Sequence, residues 1–64
     1  MKWNADKENR IVTVLEGNGW KFQFDEELPI EMTDGLNISI FEGRIHRVIK
    51  GEGPLKIKLQ KNAL

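Results

Sequence analysis

Strict alternation of apolar and polar residues recurs three times along the chain. In WKFQFD, Trp20, Phe22 and Phe24 point one way and Lys21, Gln23 and Asp25 the other. LNISIF sets Leu36, Ile38 and Ile40 against Asn37 and Ser39, and LKIKLQK sets Leu55, Ile57 and Leu59 against Lys56, Lys58 and Gln60. A period of two is what a half-buried strand requires, because successive side chains leave the pleat on opposite faces. RIVTVLE alternates less cleanly but is rich in β-branched residues, and reads as a strand buried in part on both faces.

Turn chemistry separates these runs. Gly17-Asn18-Gly19 predicts a tight hairpin between RIVTVLE and WKFQF, since its residues tolerate positive φ. Thr33-Asp34-Gly35 precedes the next alternating run and Glu42-Gly43 closes it. Gly51-Glu52-Gly53-Pro54 is expected to divide the last two strands, with Pro54 at a strand start because it has no N–H to donate. Strands are thus predicted near 2–5, 10–16, 20–25, 36–42, 44–50 and 55–61. EELPIEM reads as a loop, a short strand at Ile30–Met32, or one turn of helix. Ile45, Val48 and Ile49 also have helical spacing, but seven residues make a poor helix and their β-branching favours a strand.

These elements predict an all-β fold: a single domain over residues 1–64, a meander of five to six short strands. It would close into a small or partly open barrel, OB-like or Src-homology-3-like, or fold into a sandwich. A chain of 64 residues allows one domain, and one this small buries only about 60% of its unfolded surface. Such chains usually need a staple, and without cysteine neither a disulfide nor a thiolate zinc site can supply it. With one His, a multi-histidine metal site is excluded as well. No stretch approaches the roughly 18 apolar residues of a membrane span, and MKWNADKENR does not read as a secretory signal, so the expected location is cytoplasmic.

Charge changes the picture. Residues 1–42 carry four basic and nine acidic side chains, a balance of −5, whereas residues 43–64 carry six basic and one acidic, a balance of +5. Net neutrality hides this asymmetry, which points to a charged partner. If RIHRVIK and PLKIKLQ form a hairpin, register decides which cations share a face. A five-residue loop, the better apolar match, sets Ile49 against Leu55 and Ile45 against Leu59; Arg47 then turns inward, and Arg44, His46, Lys56 and Lys58 face out. A four-residue loop exposes Arg47, Lys56 and Lys58 with Ile45 and Ile49 instead. Either way Arg44, His46, Arg47, Lys50, Lys56 and Lys58 form the candidate partner-binding set. Its cations are compensated by the chain's own acidic half or await an anionic partner.

Trp20, Phe22 and Phe24 are expected to fill the core; exposed, they would make a base-stacking platform. The opening KWNADK resembles the first strand and turn of bacterial cold-shock proteins, which read Lys-Trp-Phe-Asn, a small residue and an acidic-Lys pair. That family is a single OB barrel binding single-stranded nucleic acid. The resemblance covers about six residues with a one-residue deletion. The family's two aromatic motifs are absent, and KENRIVTV stands where the first would be. It is a local echo that supports a hairpin rather than a family assignment.

Catalytic constellations are sparse. His46 is the sole His and Ser39 the sole Ser, so no nucleophile–base–orienter set assembles. Ser39 reads as a solvent-facing strand residue and His46 as an ordinary surface residue of the ribbon. Asp25, Glu26, Glu27 and Glu31 lack the spacing of a calcium loop, and GNG and GEGP lack the Lys-Ser/Thr of a phosphate loop. The sequence therefore predicts a non-enzymatic interaction module without cofactor or metal, binding a protein partner or self-associating through its basic C-terminal ribbon. A single-stranded nucleic-acid-binding barrel is the alternative.

Overall fold

The alternating runs form strands, but they pair differently from the order in which they follow one another. A computed structural model describes residues 2–62. Its strands are β1 (Arg10–Asn18), β2 (Lys21–Phe24), β3 (Ile30–Glu31), β4 (Asn37–Ile40), β5 (His46–Ile49) and β6 (Glu52–Lys61). They make two antiparallel three-stranded sheets, ordered β4-β1-β6 and β3-β2-β5. Among the described residues there is no helix, and so none long and apolar enough to cross a membrane. The all-β class is as expected. The barrel is not closed, and the order is not a meander, because β1 lies between β4 and β6.

Two predicted hairpins are corrected. β1 and β2 belong to different sheets, so Gly17-Asn18-Gly19 is a corner and not a hairpin turn. β5 and β6 do not pair either: β5 lies on β2 and β6 on β1. The register explains why. Lys21 faces Ile49 in one sheet and Asn18 faces Glu52 in the other, so pairing runs across the corner without a slip. β1–β2 and β5–β6 are thus two bent arms of one long ribbon, folded where Gly19 meets Gly51. Register shifts follow only beyond it, between Asn18 and Glu16 and between Glu16 and Val14. Bulges of this kind bend and twist a strand.

The segment β3–β4 lines the other side of β1–β2 in the same way. Met32 donates its N–H to Trp20 O, while Val14 N–H bonds Leu36 O and Gly35 N–H bonds Val14 O. The turn at 33–36, with Gly35 at φ 87°, is where this third arm bends. Of the ambiguous EELPIEM, only Ile30–Glu31 is strand. The strand expected at 2–5 reduces to one bridge, Asn4 with His46. The loop expected at 51–54 is mostly strand, since β6 begins at Glu52 and carries Pro54 on the sheet edge, where a missing N–H is tolerated.

Bending the ribbon brings its inner faces together. Val12 and Val14 of β1, Phe22 and Phe24 of β2, Met32, and Ile38 and Ile40 of β4 are buried. Trp20, Leu36, Val48 and Leu55 pack against them. Phe22 and Phe24 meet edge to face at 5.0 Å between ring centroids. Phe22 and Phe24 of the aromatic stripe are therefore core, and Trp20 is partly buried against them.

A Cβ at Gly51 would lie 2.3 Å from Asn18 O and 2.4 Å from both Gly19 C and Trp20 N. All three are backbone atoms and cannot step aside. Gly43 is the converse case, with φ 78° and open space where a Cβ would go. Gly51→Ala is expected to cost at least about 4 kcal/mol, within the exceptional range for a point mutation. Gly43→Ala should cost only the left-handed penalty of about 1–2 kcal/mol. Urea unfolding followed by Trp fluorescence measures both, and equal losses would contradict the corner contact.

Candidate partner-binding site along strand β6

The two outer edges of the β1-containing sheet are closed unequally. The inward side chains of β4, Ile38 and Ile40, are 5% and 2% exposed, while their counterparts on β6, Ile57 and Leu59, are 44% and 41% exposed. The space between the sheets is therefore sealed along β4 and open along β6. A cleft of about 180 Å³ lies there, walled by Val12, Phe22, Ile40, Val48, Leu55, Ile57 and Leu59. Pockets for small organic ligands run to roughly 300–1,000 Å³. This cleft is of a size to take one or two side chains.

The far end of the cleft is polar. His46 begins β5 opposite Phe24, which turns its ring inward, and it stacks on Phe22 at 5.3 Å. Its Nδ1 lies 2.8 Å from Arg44 O. A carbonyl only accepts, so Nδ1 donates to it, and Nε2 lies 3.7 Å from Asp6 Oδ2. Asp6 Oδ1 also meets Arg10 Nη1 at 3.2 Å, and Glu8 meets Arg10 Nη2 at 3.6 Å. Arg10 Nε is buried with no hydrogen-bond partner among the described residues. Ser39 sits on β4 with the exposed residues of that strand's outer face, away from this cluster. No set of three His, Asp or Glu converges as a metal site among the described residues.

The structure disperses the predicted basic ribbon. Arg44 precedes β5, pairs with Glu27 and lies over the Phe24 ring at 4.1 Å. Arg47, expected to turn inward, instead faces out: its Nε donates to Gln23 Oε1 at 2.8 Å, and its guanidinium lies 4.4 Å from the Trp3 ring centroid. His46, expected on the surface, is 8% exposed and belongs to the core. Both reversals have one cause. β5 takes its facing from β2, whose Phe22 and Phe24 demand Val48 and His46 opposite them. Lys50 is exposed beside the corner. Only Lys56 and Lys58 share one element and one face, the outer side of β6, where Lys56 approaches Glu16 at 3.8 Å and Lys58 lies opposite Thr13.

Sequence reading missed Asp6, Arg10 and the exposure of Ile57 and Leu59. Asp6 lies before β1 and Arg10 opens it, four residues apart, with no motif to mark them. The apolar face of β6 was legible, but not that the fold leaves it half-covered. Comparison with protein-family models, with curated proteins and with solved structures finds no match to this chain.

Because Ile57 and Leu59 are half exposed, Ile57→Ser and Leu59→Ser should each cost less than about 1.5 kcal/mol, against about 2–5 kcal/mol for Ile38→Ala in the sealed wall. Lys56→Gln, which removes an exposed ion pair, should change stability by less than about 1 kcal/mol. Denaturant titrations of the four variants provide the check; an Ile57→Ser loss equal to that of Ile38→Ala would place Ile57 in the core proper.

Proposed function

We propose that the protein is a non-enzymatic interaction module that binds a protein partner by taking an extended segment along β6. In this reading the folded-over sheets are a partly open barrel, and the incoming segment closes its seam. One observation carries the reading: β6 is a ten-residue edge strand whose inward Ile57 and Leu59 remain half exposed over an apolar cleft. An edge strand offers unpaired N–H and C=O groups along its free side, and apolar side chains beneath that edge favour strand addition. The contact surface therefore moves from a C-terminal hairpin to β6 alone, keeping Lys56 and Lys58 of the original set. The single-stranded nucleic-acid reading has less support, because Phe22 and Phe24 are buried and Arg44 and Arg47 are engaged within the chain.

Site-specific photo-crosslinking in cells distinguishes this surface from others. A crosslinker replacing Lys58 on β6 is expected to capture a defined partner that one replacing Asn37 on β4 does not, and Ile57→Ser/Leu59→Ser should abolish the capture. Identical products from both positions would refute the proposal. Sedimentation of the purified chain adds the oligomeric state, and a tight dimer insensitive to Ile57→Ser/Leu59→Ser would place the interface elsewhere.

A further inference from the structure

The chemistry of β6 narrows what can pair with it, given the strand-addition reading above. In an antiparallel or parallel pair, side chains on neighbouring strands share faces with those beside them. A segment added to β6 would thus place alternate residues next to Lys56 and Lys58 on the outer face, and the others next to Leu55, Ile57 and Leu59 over the cleft. On the outer face Lys56 has one exposed carboxylate neighbour, Glu16, at 3.8 Å, and Lys58 makes no ion pair among the described residues. Apart from Glu16, the adjacent outward residues of the sheet are uncharged: Thr13, whose hydroxyl donates to Asn37 Oδ1, then Ile11, Ser39 and Gln60. Two ammonium groups therefore stand at the free edge of a face whose neighbouring carboxylate, Glu16, lies beside Lys56, above an apolar slot.

We infer that the partner segment alternates carboxylate and aliphatic side chains, the carboxylates meeting Lys56 and Lys58 and the aliphatic groups entering the cleft of Leu55, Ile57 and Leu59. A second copy is a poorer occupant. Antiparallel pairing of two β6 strands centred on Ile57 sets Lys56 of each against Lys58 of the other, and like charges directly opposite are destabilising. The cations thus select for an acidic strand while discouraging self-pairing, the role lysines commonly play on open edges. The size of the cleft sets the aliphatic groups: it takes one or two branched side chains and no aromatic ladder.

The test uses the full chain, isotope-labelled, titrated with cyclised peptides that present Glu-Val-Glu-Val-Glu or Lys-Val-Lys-Val-Lys as a strand; cyclisation removes most of the ordering cost. The acidic peptide is expected to shift amide resonances of residues 55–61 and to bind about tenfold or more tightly than the basic one at low salt, the gap shrinking as salt rises. Lys56→Glu/Lys58→Glu should reverse that preference, and Ile57→Ser/Leu59→Ser should weaken both peptides, with circular dichroism confirming that each variant folds. Equal binding of the two peptides at β6 would overturn the acidic assignment while leaving strand addition standing. Shifts confined to other surfaces, or no binding by either peptide, would overturn both, leaving Lys56 and Lys58 as guards of an unused edge. Concentration-dependent shifts along β6 without peptide would identify a second copy as the occupant and overturn the acidic-segment proposal.

Discussion

Gly19 and Gly51 face each other where the long ribbon bends, and the placement of nearly every other element depends on how closely their backbones approach. Gly51 leaves no room for a methyl group between itself and the Asn18–Trp20 backbone, while Gly19 holds φ at 69°. With that contact, β1–β2 and β5–β6 can fold over together in one register. Without it the two halves of the ribbon would splay, and Phe22 and Phe24 would lose the opposing wall of Val12, Val14, Ile38 and Ile40. Burial of each such ring contributes about 1.5–3 kcal/mol. In a domain this size that is a large share of the whole, since proteins are stable by only about 0.05–0.15 kcal/mol per residue.

The same bend explains why the molecule has a sealed side and an open one. The arm containing β3 and β4 is tied to β1–β2 on both sides of the corner, through Met32 to Trp20 and through Gly35 and Leu36 to Val14. The opposite arm is tied along its inner side. Among the described residues the backbone of its outer edge is met at one point, where Asn4 exchanges two backbone hydrogen bonds with His46. The segment that follows then crosses the end of the cleft and deposits Asp6, Glu8 and Arg10 there. The polar cluster around His46 is thus the stopper of the cleft at one end, and β6 beyond it is uncovered.

Much of the local structure was legible in the residues themselves. The alternation of Trp20–Asp25, Leu36–Ile40 and Leu55–Gln60 marked three strands and their inward faces, and Thr33-Asp34-Gly35 and Glu42-Gly43 are turns as read. Pairing was not legible, because a glycine that permits a hairpin also permits a corner. Gly51 reads the same in either role until the chain opposite it is known. β5 was ambiguous for a second reason: Ile45 and Ile49 are apolar on one face and Val48 on the other, so alternation alone could not orient His46 and Arg47. Its partner settled that choice. The cation cluster then dissolved, since it existed only if β5 and β6 were neighbours.

The long ribbon also governs how the chain must find its shape. Apart from β2 with β3, every ladder joins residues at least 22 positions apart, from Phe24 with His46 to Arg10 with Lys61. No local hairpin of appreciable length can form first and template the rest, so closing large loops sets the pace of the search. On a ribosome, β1 and β2 emerge with their broad inner face bare and wait for the residues beyond 45 to arrive. During that interval the aromatic strand is open to any passing sticky surface, a hazard inherent to this topology and absent from a true meander.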